Sequence, residues 1–327
     1  MRSVCAAILT VVLANAAAAP ARADATAAQT WPQRPVTIVV PFQAGGSADL
    51  LARIVQHTLQ NDLGAPVVVE NRSGAGGSIG AAYVAKAPND GYTLLLGTFS
   101  TNVLNAFMYD KLPYDSERDF QPLALLVRFP NLLVVGPKNP ARNVPELIDY
   151  IKARDGKLNY GSSGVGTSSH LAVVMFELAS GTHMTHVPFR STAEDLTSMM
   201  NGSIDLAIDS MPTLWPQAQA GVIRALAVST EQRSPIAPDL PTIGETLPGY
   251  AVTAWQGLFA PAGTPRSIVE KIATTLQRSF ARPDVTDELT KVGGEPTYIG
   301  PDAFSAYIRS ELPKWRDVVK ASGVHLD

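Results

Sequence analysis

Short apolar runs alternate along the chain with longer segments in which apolar residues recur at helical spacing. Residues 36–40 form the first run, and a turn with Gly45 and Gly46 follows it. Residues 47–59 then carry leucine, isoleucine and valine at spacings of three and four, which predicts an amphipathic helix with Ser47 as its N-cap. Backbone N–H groups at a helix start favour an anion, so this turn is a candidate carboxylate or phosphate site, although an ordinary strand-to-helix connection explains the same residues.

The same order of strand, turn and helix then repeats. Residues 66–70 predict a strand, residues 71–78 a glycine turn and residues 79–87 a helix, and residues 92–97 predict a third strand. If these strands are parallel, Thr98 and the two glycine turns meet at one end of the sheet, which is where ligands collect in α/β proteins.

A second series starts near the middle of the chain. Residues 123–127 and 131–135 predict two strands, the first of which could leave the first domain, and a helix capped by Asn143 follows. Residues 161–170 (GSSGVGTSSH) then place several hydroxyls and glycines at the start of another helix, which predicts a second anion cradle. The alternation continues to residue 228, so we predict an α/β protein.

The last hundred residues predict mainly helices. Residues 255–265 read as a strand and a turn, and helices are predicted over residues 267–281 and 301–321. Pro313 is expected to break or kink the second of these helices.

Residues 1–23 have the pattern of an export signal. Arg2 precedes an apolar core over residues 4–13, and a small-x-small site ends at Ala23, so the mature chain is expected to begin near Asp24. Cys5 lies inside the signal, and the mature chain would therefore hold no disulfide, thiol nucleophile or cysteine metal site.

The charge balance excludes several classes of partner. The formal net charge is −3, and loss of the two signal arginines makes it two units more negative. No basic block is present that would hold a nucleic-acid backbone or an anionic membrane surface. With 46% hydrophobic residues and no second long apolar run, the chain is predicted to be a soluble periplasmic protein with two domains.

The sequence favours binding over catalytic chemistry. An exported serine hydrolase is the leading enzyme alternative because serines crowd residues 161–169 beside His170. Against it, we expect no Gly-x-Ser-x-Gly elbow and no Ser-x-x-Lys anywhere in the chain. No glycine loop ends in the Gly-Lys-Ser/Thr of a nucleotide site. His183 and His186 have a metal-like spacing but no third ligand nearby, so we expect structural histidines and no metal site.

Two further residues have more than one interpretation. Asp205 and Asp209 would lie on the same face of a strand and could form a carboxylate pair. Alternatively, one of them lies near the hinge and the other is solvated, or one of them contacts a cationic amine of a ligand. Trp255 is expected in core or hinge packing, with lining of the ligand pocket as the alternative.

Motifs along the whole mature chain resemble those of one family. They comprise residues 41–49 (PFQAGGSAD), 70–77 (ENRSGAGG), 112–115 (LPYD), 119–120 (DF), 160–167 (YGSSGVGT), 186–189 (HVPF), 202–205 (GSID), 225–229 (ALAVS), 239–242 (DLPT) and 255–265 (WQGLFAPAGTP). This combination is similar to the Bug-type, TctC-like solute receptors of tripartite tricarboxylate transporters. The resemblance implies a two-lobed class II periplasmic binding protein of α/β fold, with a mixed sheet flanked by helices in each lobe.

The resemblance also implies the function. Such a receptor holds a small carboxylated solute between its lobes and delivers it to the permease subunits of a membrane transporter, without catalysis and without a cofactor. A monomer is expected. An exported hydrolase, and a sensor that presents its ligand to a signalling partner, remain the alternatives.

Carried over residue by residue, the resemblance gives two ligand loops, residues 42–49 and 161–169, that act as pincers on a carboxylate. The chain departs from the family pattern at residues 190–194, where lysine or arginine followed by glycines is replaced by RSTAE, so Arg190, Ser191 and Thr192 are expected to adapt the pocket to a particular ligand. Together with Thr98 and Asp209, which come from the strand pattern, the predicted ligand-binding residues are Phe42, Ala44, Gly45, Gly46, Ser47, Asp49, Thr98, Ser162, Gly166, Thr167, Ser168, Arg190 and Asp209.

The predicted lobe 1 comprises residues 32–124 plus about 256–327, and lobe 2 comprises residues 125–255. The chain is expected to return to lobe 1 somewhere between residues 230 and 262.

Overall fold

A computed structural model of the chain describes residues 31–154, 156–291 and 293–326. The predicted signal over residues 1–23 lies outside these ranges. The described part is an α/β protein built on strands of mixed direction, which confirms the predicted class. None of its helices is long and apolar enough to cross a membrane.

Strands along the first third and the last quarter of the chain form one half of the sheet. β1 pairs in parallel with β2 and β3, β9 is antiparallel to both β3 and β4, and β10 pairs with β4. The parallel pairing brings the ends of β1, β2 and β3 to one edge, as the sequence predicts. The strands are β1 (Val36–Val40), β2 (Val67–Asn71), β3 (Thr93–Thr98), β4 (Phe120–Val135), β9 (Thr253–Pro261) and β10 (Glu295–Ile299).

Helices cover both faces of this half-sheet, whose central strand carries consecutive apolar residues. Leu94, Leu95 and Leu96 of β3 are fully buried although alternate residues point to opposite faces. The helices are α1 (Ser47–Leu63), α2 (Ser78–Ala85), α3 (Asn105–Met108), α8 (Arg266–Phe280), α9 (Pro283–Lys291) and α10 (Pro301–Ser322), with a π-helical turn over Ser100–Leu104. We call this half-sheet with its helices lobe 1.

The other half-sheet, with its helices, is called lobe 2. It contains the end of β4 together with β7, β8, β5 and β6, and β5 is parallel to both β6 and β7. Its elements are α4 (Val144–Lys152), β5 (Asn159–Ser162), α5 (Ser168–Ser180), β6 (Thr185–Pro188), α6 (Thr192–Asn201), β7 (Leu206–Ser210), α7 (Met211–Gln219) and β8 (Arg224–Val228).

The expectation of two separate strands over residues 123–127 and 131–135 is wrong. β4 is continuous, pairing with β9 through Pro130 and with β7 from Asn131 onward. The three segments of the chain that pass between the lobes are joined here by hydrogen bonds. Ser229 donates its N–H to the carbonyl of Asn131 (2.9 Å), and its hydroxyl donates to the carbonyl of Val252 (2.6 Å). The predicted boundary at residues 124 and 125 falls inside β4.

Three further expectations differ from the structure. Gly46, not Ser47, is the N-cap of α1, and Ser47 is its first residue. α10 continues through Pro313 without a break, and its Trp315 packs edge-on against Phe99 with ring centroids 4.9 Å apart. Sequence reasoning also missed α9 and β10, because their apolar residues are few and widely spaced.

Candidate functional site

A cavity of about 320 Å³ lies between the lobes where α1 and α5 begin. A larger groove of about 970 Å³ runs between residues 106–117 and α10, but it is an open, charged surface of lobe 1 with no contribution from the ligand loops. We therefore place the candidate site in the smaller cavity. Its lining residues are Phe42, Gly46, Ser47, Ala48, Thr98, Phe99, Ser100, Phe129, Ser168, Ala254, Trp255 and Gln256.

The first ligand loop connects β1 to α1. Gly45 adopts φ of +86°, a left-handed conformation that glycine tolerates and that turns the chain toward the cavity. Gly46 and Ser47 follow and line the cavity, and the first N–H groups of a helix have no acceptor within the helix. Of the predicted residues in this loop, Phe42, Gly46 and Ser47 line the cavity, whereas Ala44, Gly45 and Asp49 do not.

Asp49 lies beneath the loop and is almost fully buried. Its carboxylate accepts hydrogen bonds from the Gly45 N–H (3.0 Å), from the Arg53 guanidinium (2.9 and 3.1 Å) and from Asn71 Nδ2 (3.0 Å). Burial opposes ionisation, but these donors outweigh it and hold the pKa of Asp49 below its ordinary value. The carboxylate therefore fixes the loop, and the Gly45 N–H points to Asp49 rather than to the cavity.

The floor of the cavity is formed by the ends of β3 and β9. Thr98 lies opposite Gln256 in the antiparallel register, and both side chains are buried. The hydroxyl of Thr98 accepts from the Thr101 N–H (3.2 Å). Trp255 satisfies both of its sequence interpretations, since it lines the cavity and packs against Phe304 with ring centroids 5.1 Å apart.

The second ligand loop supplies one lining residue, Ser168. Thr167 is the N-cap of α5, donating its hydroxyl to the Gly164 carbonyl (2.7 Å) and accepting from the His170 N–H (3.4 Å). The Gly166 N–H donates to His170 Nδ1 (3.2 Å). The Ser168 hydroxyl makes no hydrogen bond within the part of the chain that the structure describes, so it is available to a ligand.

Two histidines form a neutral stack behind this loop. The rings of His170 and His186 are parallel with centroids 4.0 Å apart, and Tyr160 stacks on His186. Burial, and then the neighbouring His186, lower the pKa of His170 to about 4, and burial lowers that of His186. His186 Nε2 and the hydroxyl of the fully buried Ser162 are 2.7 Å apart, so Ser162 supports the loop from behind.

The remaining predicted residues lie away from the cavity. Arg190 is exposed, and its N–H donates to Glu194 (3.1 Å). Asp209 is buried in β7 and accepts from Ser163 (3.4 Å) and Thr192 (3.1 Å). The suggested pairing of Asp209 with Asp205 is wrong, because Asp205 precedes β7 and its carboxylate accepts a hydrogen bond from the Asn159 N–H.

Asp209 instead interacts with Asp195 of α6, a residue that sequence reasoning missed. Asp205 receives the Asn159 N–H at 2.8 Å and tethers the start of β5. A Cβ on Gly161 would meet the carboxyl of Asp195, so glycine is required where β5 passes over this acid. Gln256 was missed as well, and its only signal was its place between Trp255 and Gly257.

The lining of the cavity is uncharged. None of its lining side chains carries a charge, so a carboxylate would be held by hydroxyls, an amide, main-chain N–H groups and the positive ends of α1 and α5. Its aromatic residues offer apolar surface to the rest of a small molecule. In the described ranges, no group of three acidic, histidine or cysteine side chains is arranged to hold a metal ion.

Residues 76–80 (GGSIG) do spell Gly-x-Ser-x-Gly, so the expectation that the chain holds no such motif is wrong. Ser78 begins α2 but is buried, and its hydroxyl is in contact with Asn105 (3.3 Å) rather than with a histidine. This serine therefore has no general base beside it.

Comparison with known proteins gives a consistent result. A family profile described as tripartite tricarboxylate transporter family receptor matches residues 51–324. Protein BugT of Bordetella pertussis is 32% identical over 323 residues, covering 98% of each chain. The structure of R. palustris Rpa4515 with adipate has 38% identity and a TM-score of 0.76, covering 90% of this chain and 99% of that one. MatC from Rhodopseudomonas palustris with bound malate has 34% identity and a TM-score of 0.72, covering 88% and 100%.

Proposed function

Because this chain belongs to the tripartite tricarboxylate transporter receptor family, we propose that it captures a small carboxylate in the cavity between its lobes. Receptors of this family are periplasmic solute-binding proteins, and the proposed destination of the ligand is the permease part of a transporter of that type. The observation that carries the proposal is the meeting of two helix starts, one from each lobe, at a single uncharged cavity.

We assign two roles to the predicted site residues. Phe42, Gly46, Ser47, Thr98 and Ser168 line the cavity and are the proposed contacts of the ligand. A second set holds the two loops in place through hydrogen bonds or conformation, and comprises Ala44, Gly45, Asp49, Ser162, Gly166, Thr167 and Asp209. Arg190 lies at the surface, where it is proposed to act only at the rim.

The proposed lobe boundary follows the hydrogen bonds at the crossing. Lobe 1 then comprises residues 32–130 and 253–326, and lobe 2 comprises residues 131–252, because Asn131, Ser229 and Val252 join the three crossing segments. Closing the lobes on a ligand would bend the chain at these positions, and only the closed state satisfies both loops.

A hydrolase is the second candidate, and the geometry gives it little support. His170 uses Nδ1 to accept a main-chain N–H, and the serine that contacts His186 is fully buried. The relatives compared above are solute receptors. We therefore propose binding without turnover, and the permease as partner rather than a signalling protein.

The test is a titration of the purified mature protein with a panel of mono-, di- and tricarboxylates that begins with adipate and malate. Binding should quench or shift the fluorescence of Trp255, and Trp255→Phe should lose that signal while Trp215→Phe keeps it. Ligand at about 100 times its dissociation constant should raise the free energy of unfolding by about 2.7 kcal/mol. Recovery of a chemically altered ligand would refute the receptor assignment, and failure of every carboxylate to bind would refute the ligand class.

A further inference from the structure

A second cavity, of about 220 Å³, lies at the hinge, where three segments of the chain pass between the lobes. Residues from all three segments line it, together with residues of β10 and α10. Successive residues of a strand point to opposite faces, and Phe129 of β4 lines the candidate ligand cavity whereas its neighbour Arg128 lines this one. The hinge cavity is therefore separate from the cavity that we propose for the carboxylate.

Arg128 is a half-buried cation whose guanidinium has no hydrogen-bond acceptor among the described residues. Its Nε atom is buried, whereas its two terminal nitrogens are not, so they are open to a ligand in the cavity. Glu295 lies opposite Arg128 in the β4–β10 register, but its carboxylate accepts from the Ser234 hydroxyl and does not come within ion-pair distance of the guanidinium. A partly buried charge without a partner costs free energy, and a guanidinium can hold a carboxylate through two parallel hydrogen bonds.

Most other charged side chains in the hinge cavity have partners within the protein. Arg233 pairs with Glu245 (2.9 Å), and Lys314 pairs with Glu311 (3.0 Å). Glu231 lines the same cavity and is exposed, and no donor from the part of the chain that the structure describes reaches its carboxylate. One guanidinium and one carboxylate are thus left without a polar partner.

These two free charges act on the same group, the hydroxyl of Tyr307. The guanidinium carbon of Arg128 lies 5.5 Å from the centroid of the Tyr307 ring. Burial first, and then Glu311, raise the pKa of Tyr307, while Arg128 lowers it and Glu231 raises it. Because both charges are felt at one hydroxyl, a small molecule beside Tyr307 can contact Arg128 from lobe 1 and Glu231 from lobe 2.

The presence of one free cation and one free anion decides the class of ligand. An anion alone would face the three carboxylates of the lining, and a cation alone would leave Arg128 without a partner. The volume of about 220 Å³ is about seven times the share of one water molecule in the liquid, which limits the ligand to a small molecule. We propose that the hinge cavity binds a small α-amino acid, whose carboxylate pairs with Arg128 and whose ammonium group pairs with Glu231. This site goes beyond the proposed capture of a carboxylate and does not depend on it.

Calorimetric titration of the purified mature protein with alanine, serine and threonine tests the site. At least one of these amino acids should bind, and its N-acetyl and amide derivatives should bind about tenfold or more weakly, because each derivative lacks one of the two charges. Arg128→Gln and Glu231→Gln should each weaken binding about tenfold or more. Arg34→Gln removes an exposed cation elsewhere and should have no effect, and neither should Ser168→Ala in the carboxylate cavity.

Unchanged affinity in Arg128→Gln or in Glu231→Gln would overturn the proposal, and a loss in Ser168→Ala instead would assign the amino acid to the carboxylate cavity. Equal affinity for an amino acid and both of its derivatives would also overturn it, as would failure of all the amino acids to bind. Glu231 is exposed, so Glu231→Gln decides the question if Arg128→Gln does not fold. The titration with carboxylates judges the proposed function separately, because those ligands enter the other cavity.

Discussion

Asp195 and Asp209 bring two carboxyl groups together in the interior of lobe 2, beneath the second ligand loop. Asp195 is fully buried, and neither of its oxygens accepts an N–H or hydroxyl donor from the described residues. Two ionised carboxylates buried near each other would repel in a medium of low dielectric, so the neutral form of one of them is favoured. Burial first, and the charge of Asp209 second, raise the pKa of Asp195 to about 8, and burial also raises the pKa of Asp209.

We expect the free energy of unfolding to fall as the pH rises from about 6.5 to 8. In that window the folded protein keeps the Asp195 proton, whereas an unfolded aspartate with a pKa near 4 has lost it. The folded state then binds more protons, and its advantage shrinks by up to about 1.4 kcal/mol per pH unit. Below about pH 6.5 the slope is offset, because the lowered pKa of His170 contributes with the opposite sign.

Urea denaturation between pH 5 and 8.5 measures this slope. Asp195→Asn should remove most of it, because an asparagine has no proton to lose, while the exposed Asp302→Asn should leave it unchanged. An Asp195→Asn protein with the wild-type slope would show that the protonation of Asp195 does not control stability.

Asp49 is expected to act through the shape of the first ligand loop. Asp49→Asn removes the charge that receives Arg53 and weakens the bond from the Gly45 N–H, so we expect a loss of about 1–3 kcal/mol in stability. A misplaced loop should also lower carboxylate affinity by about tenfold. Asp90→Asn breaks an exposed pair with Arg34 and should cost less than about 1 kcal/mol, without an effect on binding.

Asp49 shows which part of the candidate site could be predicted from the sequence. The local pattern of strand, turn and helix start placed Asp49 in the first turn of the predicted helix, and the family resemblance then placed it in the first ligand loop. Its role depends on Asn71, which β1 and β2 bring beside it by pairing in register, with Val40 opposite Asn71. Such pairing follows from tertiary packing and leaves no mark in the local sequence.

The partner of Asp209 in lobe 2 could not be predicted from the sequence for a different reason. Strand periodicity placed Asp205 and Asp209 on one face, but β7 begins at Leu206, and the partner of Asp209 comes from helix α6. Periodicity predicts which residues of one strand or helix share a face, but it does not predict where a helix packs over a strand. The role of Gln256 could not be predicted for the same reason, since it depends on the cavity and on a contact with Ser47, which lies far away in the chain.

Gly166 is expected to control how closely the lobes approach. It adopts φ of +75°, and a Cβ there would lie 2.9 Å from Met108 Sδ in lobe 1. Gly166→Val should therefore hold the lobes apart, lowering ligand affinity about tenfold and leaving a larger radius of gyration in small-angle scattering with ligand. Gly181→Val is the matched control, because Gly181 has a similar φ of +64° with open space around it.

Gly181→Val should lose stability through backbone strain but keep its affinity for the ligand. Adding Met108→Ala to Gly166→Val should restore part of the affinity, since the flexible methionine is the group that the new side chain meets. If the double variant binds as weakly as Gly166→Val, the defect is strain within the loop and not contact between lobes.

Thr167 and Ser168 are adjacent, but the structure separates their roles. The Thr167 hydroxyl is occupied in capping α5, so Thr167→Ala should lower the free energy of unfolding by about 1 kcal/mol. Ser168 lines the cavity, and its hydroxyl has no hydrogen-bond partner among the described residues, so Ser168→Ala should leave stability almost unchanged. The same variant should lower carboxylate affinity about 10- to 100-fold, as expected for the loss of one charge-assisted hydrogen bond.

Calorimetric titration and thermal unfolding of both variants with the same carboxylate separate these effects. Ser169→Ala is a useful third variant, because its hydroxyl is buried against Ser163 (2.9 Å) and should affect stability more than binding. If Ser168→Ala binds like the parent, α5 holds the ligand through main-chain groups alone. If Thr167→Ala instead loses affinity at unchanged stability, its hydroxyl leaves the cap to reach the ligand when the lobes close.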